Sequence, residues 1–183
     1  IYSNKNKDMS VSNAYPNLIE IPYKKTSVDM AEVISYINET NYLVEVKRAC
    51  YVLFRNESGN GNNGVCNNYI GLQADGAKSD EFVSPKIVAT CVQAENMTGK
   101  QRRFACFNSF KDSVDVIEHN VINRGIFIGG KSHPYSNIDV KTPHDLALAY
   151  YKEWVIGSYK ATPDEGFIND FISMYNQAIN KFK

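Results

Sequence analysis

The stretch from Ser58 to Gly64 reads Ser-Gly-Asn-Gly-Asn-Asn-Gly, and no helix or strand can pass through it. Glycine and asparagine accept left-handed backbone and favour tight turns, so this block ends whatever precedes it. What precedes it is helical by pattern. Leu43, Val46, Cys50, Leu53 and Glu57 recur at spacings of three and four, which places them on one face of a 3.6-residue helix. The last member of that apolar stripe is a carboxylate. A carboxyl group where a buried helix runs out loses water on the helix side, and desolvation disfavours its charged form. The resulting rise in pKa is what a general acid needs near neutral pH. Glu57 is therefore the first candidate for chemistry, set against the plainer interpretation of a glutamate on the surface at a helix end.

The remaining elements follow from similar signals. Residues 1–25 are expected to form an extended arm on the domain or a linker, with a strand-like run from Leu18 to Tyr23. A helix carrying Met30, Val33, Ile34 and Ile37 follows, with Ser27 as its cap. A β-hairpin is predicted from the β-branched run before Asn96 and the return strand Gln101 to Phe107. A third helix buries Phe110, Val114, Ile117 and Val121; a fourth runs from Pro143 to Val155. The last helix opens on Thr162, Pro163 and Glu165, the pattern of a capping box. Five helices and one hairpin make an α+β chain, mostly helical, with residues 26–183 as one domain.

A chain of 183 residues with 43% hydrophobic content can bury one sizeable core. Lysine plus arginine equals aspartate plus glutamate at 20 each, so no global field attracts nucleic acid. No apolar run approaches the roughly 20 residues of a membrane span. The start at Ile1 is in keeping with a processed product or a domain of a longer polypeptide.

The four cysteines permit two disulfides. Cys91 and Cys106 lie symmetrically about Thr98 and Gly99, so the hairpin is expected to set them opposite each other, bridged or merely packed. A zinc site is not expected, because no CxxC or HxxxH pair is present. His119, His133 and His144 are scattered, and Cys50 belongs to an apolar stripe, which disfavours a cysteine nucleophile.

Glu57-Ser58-Gly59 followed by Asn67-Asn68-Tyr69-Ile70-Gly71 resembles the lysozyme superfamily, and more closely the glucosaminidases of glycoside hydrolase family 73. The resemblance extends through Thr90, Glu95 and Gly99 of the hairpin, the run Arg103 to Asp115, and Tyr159-Lys160-Ala161-Thr162-Pro163-Asp164. It departs at Gln73, where lysine is common, and in Tyr159, which lies one residue further from the Ala-Thr pair.

The resemblance implies a lysozyme-like helical body with a small β-lobe and an enzyme acting on bacterial peptidoglycan. It would cut a β-1,4 bond, without a metal or organic cofactor, in an extracellular, periplasmic or virion-associated setting. A muramidase, a lytic transglycosylase or a non-catalytic wall-binding module of a phage tail or secretion assembly is the alternative. Glu57 would be the general acid. Glu95 would be the second carboxylate, or else a solvated hairpin residue beside Arg102. Asn68, Tyr69 and Gln73 are expected to contact sugar, and Tyr159 either lines the groove or staples the last helix. Lys100, Arg102 and Arg103 form a solvated basic edge or a contact for anionic peptide stems.

Overall fold

A computed structural model describes residues 11–95 and 97–183. The first ten residues of the expected arm, and Asn96 in the expected turn, lie outside them. The fold is α+β and mostly helical, with two antiparallel two-stranded sheets.

Helix α2 (Val44–Glu57) is the centre of the main core. Ala49, Cys50, Val52, Leu53 and Phe54 are fully buried, because α1 (Met30–Glu39), α3 (Phe110–Arg124) and α5 (Glu165–Lys181) pack around it. Burial on several sides explains why its apolar residues exceed a single stripe. Helix α3 buries Val114, Ile117 and Val121, as its periodicity predicts, and opens on a capping box of Ser109 and Asp112.

Two helix starts differ from expectation. Helix α1 is capped by Asp29, whose carboxylate accepts from Ala31 N at 2.8 Å, and not by Ser27. Helix α5 is capped by Asp164, which accepts from Phe167 N at 2.8 Å, and not by Thr162. In both, an aspartate closer to the first apolar turn takes the cap, where its charge also complements the helix dipole. Helix α4 (Pro143–Tyr150) starts as expected, with Thr142 and Asp145 forming a capping box. It passes into a π-helical turn, Tyr151–Ile156, closed by Gly157 in the left-handed conformation.

Strands β3 (Ala89–Ala94) and β4 (Gln101–Cys106) form the expected hairpin. Its register differs. Cys91 pairs with Phe104 and Cys106 with Ala89, so the two cysteines are diagonal neighbours on one face. The offset arises in the turn, where Glu95 N donates to Lys100 O at 2.9 Å and closes the loop one residue earlier than symmetry about Thr98 and Gly99 requires. The second sheet, β1 (Lys25–Thr26) with β2 (Gly64–Val65), has no sequence signal, since two-residue strands show no alternation.

Residues 11–25 pack on the domain. Ile21 N donates to Thr90 O at 2.8 Å and Thr90 N to Ile19 O at 3.0 Å, so this segment runs along β3. Tyr15 is buried in a second apolar cluster with Ala74, Val83, Ile87, Ala105, Phe107 and Val116. The buried Arg103 holds the segment from the hairpin side, donating to Ser12 O at 3.1 Å, Val11 O at 3.2 Å, Thr90 Oγ1 at 3.0 Å and Glu20 Oε1 at 2.5 Å. Arg103 is thus not part of a solvated edge.

Candidate active site

Glu57 is the last residue of α2, and the loop behind it is built to stop the helix there. Ser58 is fully buried: its hydroxyl donates to Phe54 O at 2.5 Å and accepts from Gly61 N at 2.8 Å. Gly61 has a φ of +83°, and a Cβ on it would sit 2.3 Å from the carbonyl oxygen of Val28, so no other residue fits without displacing the chain. Val28 N in turn donates to Gly61 O at 2.9 Å, which ties the loop to the approach of α1.

The Glu57 side chain is half-buried, and its Oε1 accepts from the hydroxyl of Tyr150 on α4. That hydroxyl also accepts from Asn56 Nδ2 at 3.0 Å. Burial pushes the Glu57 carboxyl up from its ordinary pKa, and the Tyr150 hydrogen bond opposes part of the rise. No salt bridge reaches Glu57 among the described residues. A carboxyl that is desolvated, hydrogen-bonded and without a cation is poised to hold and deliver a proton.

Beyond the loop, the sequence-predicted sugar contacts divide. Asn68 is buried, and all four of its hydrogen-bonding positions are used inside the protein. Nδ2 donates to Leu72 O and Ala105 O, each at 2.9 Å; Oδ1 accepts from Ile70 N at 3.2 Å and Leu72 N at 3.1 Å. Tyr69 is 2% exposed and packs on Phe54 with ring centroids 5.4 Å apart. Neither presents itself to a ligand. They hold the 64–74 loop against the core, and the residue types that favour sugar recognition serve equally well as an amide brace and an aromatic filler.

Gln73 is exposed, and with Glu95 it converges on one guanidinium. Arg102 donates to Asp75 through Nε at 2.6 Å and Nη2 at 3.1 Å, also to Gln73 Oε1, and its Nη1 stands 3.5 Å from Glu95 Oε2. The hydrogen bond from Arg102 holds the Asp75 carboxyl below the usual carboxylate range. Thr98 Oγ1 donates to the other Glu95 oxygen at 2.6 Å. Arg102 therefore links the loop to the hairpin and is not a free basic edge.

This linkage forms one wall of a cavity of about 550 Å³, within the roughly 300–1,000 Å³ typical of ligand pockets. Gln73, Asp75 and Arg102 line that wall; Asn120 and Arg124 of α3 and Trp154 of the π-helical turn line others. The turn directs two neighbours differently. Trp154 borders the cavity, while Glu153 is buried and accepts from Tyr135 N at 3.1 Å, Ser136 N at 2.6 Å and Ser136 Oγ at 2.7 Å. Glu57, Glu95 and Tyr159 are not among the lining residues. Tyr159 is 65% exposed and lies against Lys160, whose Nζ is 5.7 Å from its ring centroid.

Sequence reasoning missed Asp75, Tyr150 and Trp154 as site residues. Trp154 is the sole tryptophan of the chain, a signal that was legible. Tyr150 carried none beyond its place on a helical stripe.

At the base of the hairpin, Cys66, Cys91 and Cys106 come together with their sulfurs all within 4.8 Å of one another. The contact between Cys91 and Cys106 is present despite the altered register, and all four cysteines are free thiols. The third member, Cys66, comes from the loop and has no spacing relationship to the other two. Comparison of the chain with protein-family models, curated proteins and solved structures finds no match.

Proposed function

We propose that the protein is a glycoside hydrolase that cuts β-1,4 bonds in the glycan of bacterial peptidoglycan, after N-acetylglucosamine. The observation that carries this reading is the Glu57 carboxyl, placed at the end of a buried helix, raised in pKa by desolvation and oriented by Tyr150. In this reading Glu57 protonates the leaving glycosidic oxygen. The oxocarbenium-like transition state then needs a second carboxylate or the acetamido oxygen of the substrate. Glu95 supplies the carboxylate. Glu95 is not itself a lining residue, but it is tied to Arg102, which lines the cavity together with Gln73, an amide, and Trp154, an aromatic surface for a sugar ring.

Among the described residues no helix is long and apolar enough to cross a membrane. The proposed setting is the cell wall, reached from outside the cell, from the periplasm or from a virion. The test is mass spectrometry of digested peptidoglycan: new reducing ends on N-acetylglucosamine support the reading. Reducing ends on N-acetylmuramic acid reassign the bond to a muramidase, and anhydro sugars reassign the reaction to a lytic transglycosylase.

A second reading, glycan binding without turnover in a larger assembly, is favoured by one observation: neither Glu57 nor Glu95 lines the cavity. Binding of glycan strands with no new products of any kind supports that reading against hydrolysis.

A further inference from the structure

The three thiols at the base of the hairpin play no part in the chemistry above. Cys91 and Cys106 project from the same face of β3 and β4, and Cys66 closes over them from the loop that follows α2. Their residues are 0%, 1% and 5% exposed. Around them stand Ala89, Ile21, Val65 and Phe104, all apolar. A buried thiol commonly acts as a small hydrophobe, and such packing accounts for one or two of them. It does not account for the residue type at position 66: Cys66 and Asn67 are the two left-handed residues of a tight turn that Val65 and Asn68 close with mutual backbone hydrogen bonds, and glycine or asparagine is favoured at such a position at a cost to other residues. The chain accepts that cost at the one loop position whose side chain completes a sulfur triangle.

We propose that Cys66, Cys91 and Cys106 bind one thiophilic d10 metal ion, Zn(II) or Cu(I), which clips the loop after Glu57 to the hairpin that carries Glu95. Three sulfurs and no carboxylate or imidazole make a soft donor set that discriminates against Mg(II) and Ca(II). Metal–sulfur bonds of about 2.3 Å set coordinated sulfurs roughly 3.8–4.0 Å apart. From separations of at most 4.8 Å the sulfurs need to converge by no more than about 1 Å, which small side-chain rotations supply. On binding, each thiol gives its proton to solvent and each thiolate donates an electron pair to the ion; nothing is oxidised. Cu(I) is satisfied by three thiolates, whereas Zn(II) adds a fourth ligand such as water. A disulfide uses only two of the three sulfurs and leaves the geometry of the third without a reason. This inference does not depend on the hydrolase reading.

The test is titration of the reduced 183-residue chain under anaerobic conditions with Zn(II) and, separately, Cu(I), each in competition with a chromophoric chelator. One equivalent of at least one ion is expected to bind, with a rise in Tm. Cys66→Ser and Cys91→Ser should weaken that binding at least 100-fold. Cys50→Ser should leave it unchanged, because the Cys50 sulfur lies in the main core and donates to Val114 O at 3.8 Å. If a variant fails to fold, alkylation of the wild-type chain followed by peptide mass mapping decides. Metal should protect Cys66, Cys91 and Cys106 together. Failure of both ions to bind the reduced, folded chain, or metal binding without protection of those three thiols, would overturn the proposal. So would a native disulfide within the triangle combined with no metal binding after reduction.

Discussion

The hydroxyl of Tyr150 donates its hydrogen bond to the carboxylate of Glu57, joining residues 93 positions apart in the chain. Tyr150 is fully buried between α2 and α5, with its ring against Phe167 and Phe171, so it is held by packing and not by the contact itself. A fixed donor of this kind orients the carboxyl and at the same time favours its ionised form, so two opposed effects set when Glu57 carries its proton.

Removing that hydroxyl separates the two effects. In Tyr150→Phe the hydrogen bond that lowers the Glu57 pKa is gone while the burial that raises it remains. If Glu57 must be protonated to act, the basic limb of the pH–rate profile moves to higher pH. The lost hydrogen bond should also cost about 1 kcal/mol of stability. Rates of the variant and wild type measured from pH 4 to 9 check the sign; a basic limb moved to lower pH contradicts the role assigned to Tyr150.

Glu95→Gln tests the second carboxylate. The amide retains the shape of the side chain and can still accept from Thr98, but it cannot stabilise positive charge or activate water. A fall in kcat of at least about tenfold is expected if Glu95 acts on the reaction. Turnover at the wild-type rate makes Glu95 a partner of Arg102 and nothing more, and leaves the substrate's acetamido group as the internal nucleophile.

Much of this arrangement was legible in the sequence. The α2 stripe and the turn-forming block after it fix Glu57 at a helix end, because periodicity and glycine-asparagine chemistry are local properties. The caps were harder. Ser27 and Thr162 are sound cap residues, but Asp29 and Asp164 stand nearer the first buried turn, and tertiary packing decides which turn that is. The inward placement of Asn68 and Tyr69 was not legible, since a loop has no period to say which side chain faces the core. Nor was the thiol cluster, whose members at 66, 91 and 106 meet only once the hairpin has folded against the loop.

Glu118 gives a stability prediction independent of catalysis. It is 1% exposed, its Oε1 has no hydrogen-bond partner, and burial pushes its pKa up to about 8 from an ordinary 4.5, with the nearby Asp115 adding to the rise. A carboxyl whose folded pKa lies above its unfolded one stabilises the fold while protonated. That contribution is complete below about pH 4.5 and is lost as pH rises toward about 8. Glu118→Gln, neutral throughout, should match the wild type in stability near pH 4 and exceed it by about 3 kcal/mol at pH 7. Denaturant melts at the two pH values check this, and a difference that does not change with pH contradicts it.

Arg103 is the side-chain clasp between the arm and the hairpin, beside the backbone bonds of Ile19 and Ile21 to Thr90. Arg103→Met removes the donors to Val11 O, Ser12 O, Thr90 and Glu20 while keeping the apolar stem, so the arm should loosen without loss of the main core. Limited proteolysis is expected to cut the variant between residues 11 and 23 at least tenfold faster than the wild type, a rate ratio worth about 1.4 kcal/mol when cleavage follows local opening. Equal cutting rates contradict the clasp.

The most direct measurement is the activity of Glu57→Gln on purified peptidoglycan. Glutamine keeps the oxygen that accepts from Tyr150, so the variant should fold and melt like the wild type. It cannot deliver a proton to a leaving oxygen. The release of new reducing ends should fall by about 10² to 10⁴, the range a positioned general acid contributes. A folded Glu57→Gln that releases them at the wild-type rate contradicts the assignment of Glu57, and a wild-type protein that releases none while still binding the glycan contradicts hydrolysis itself.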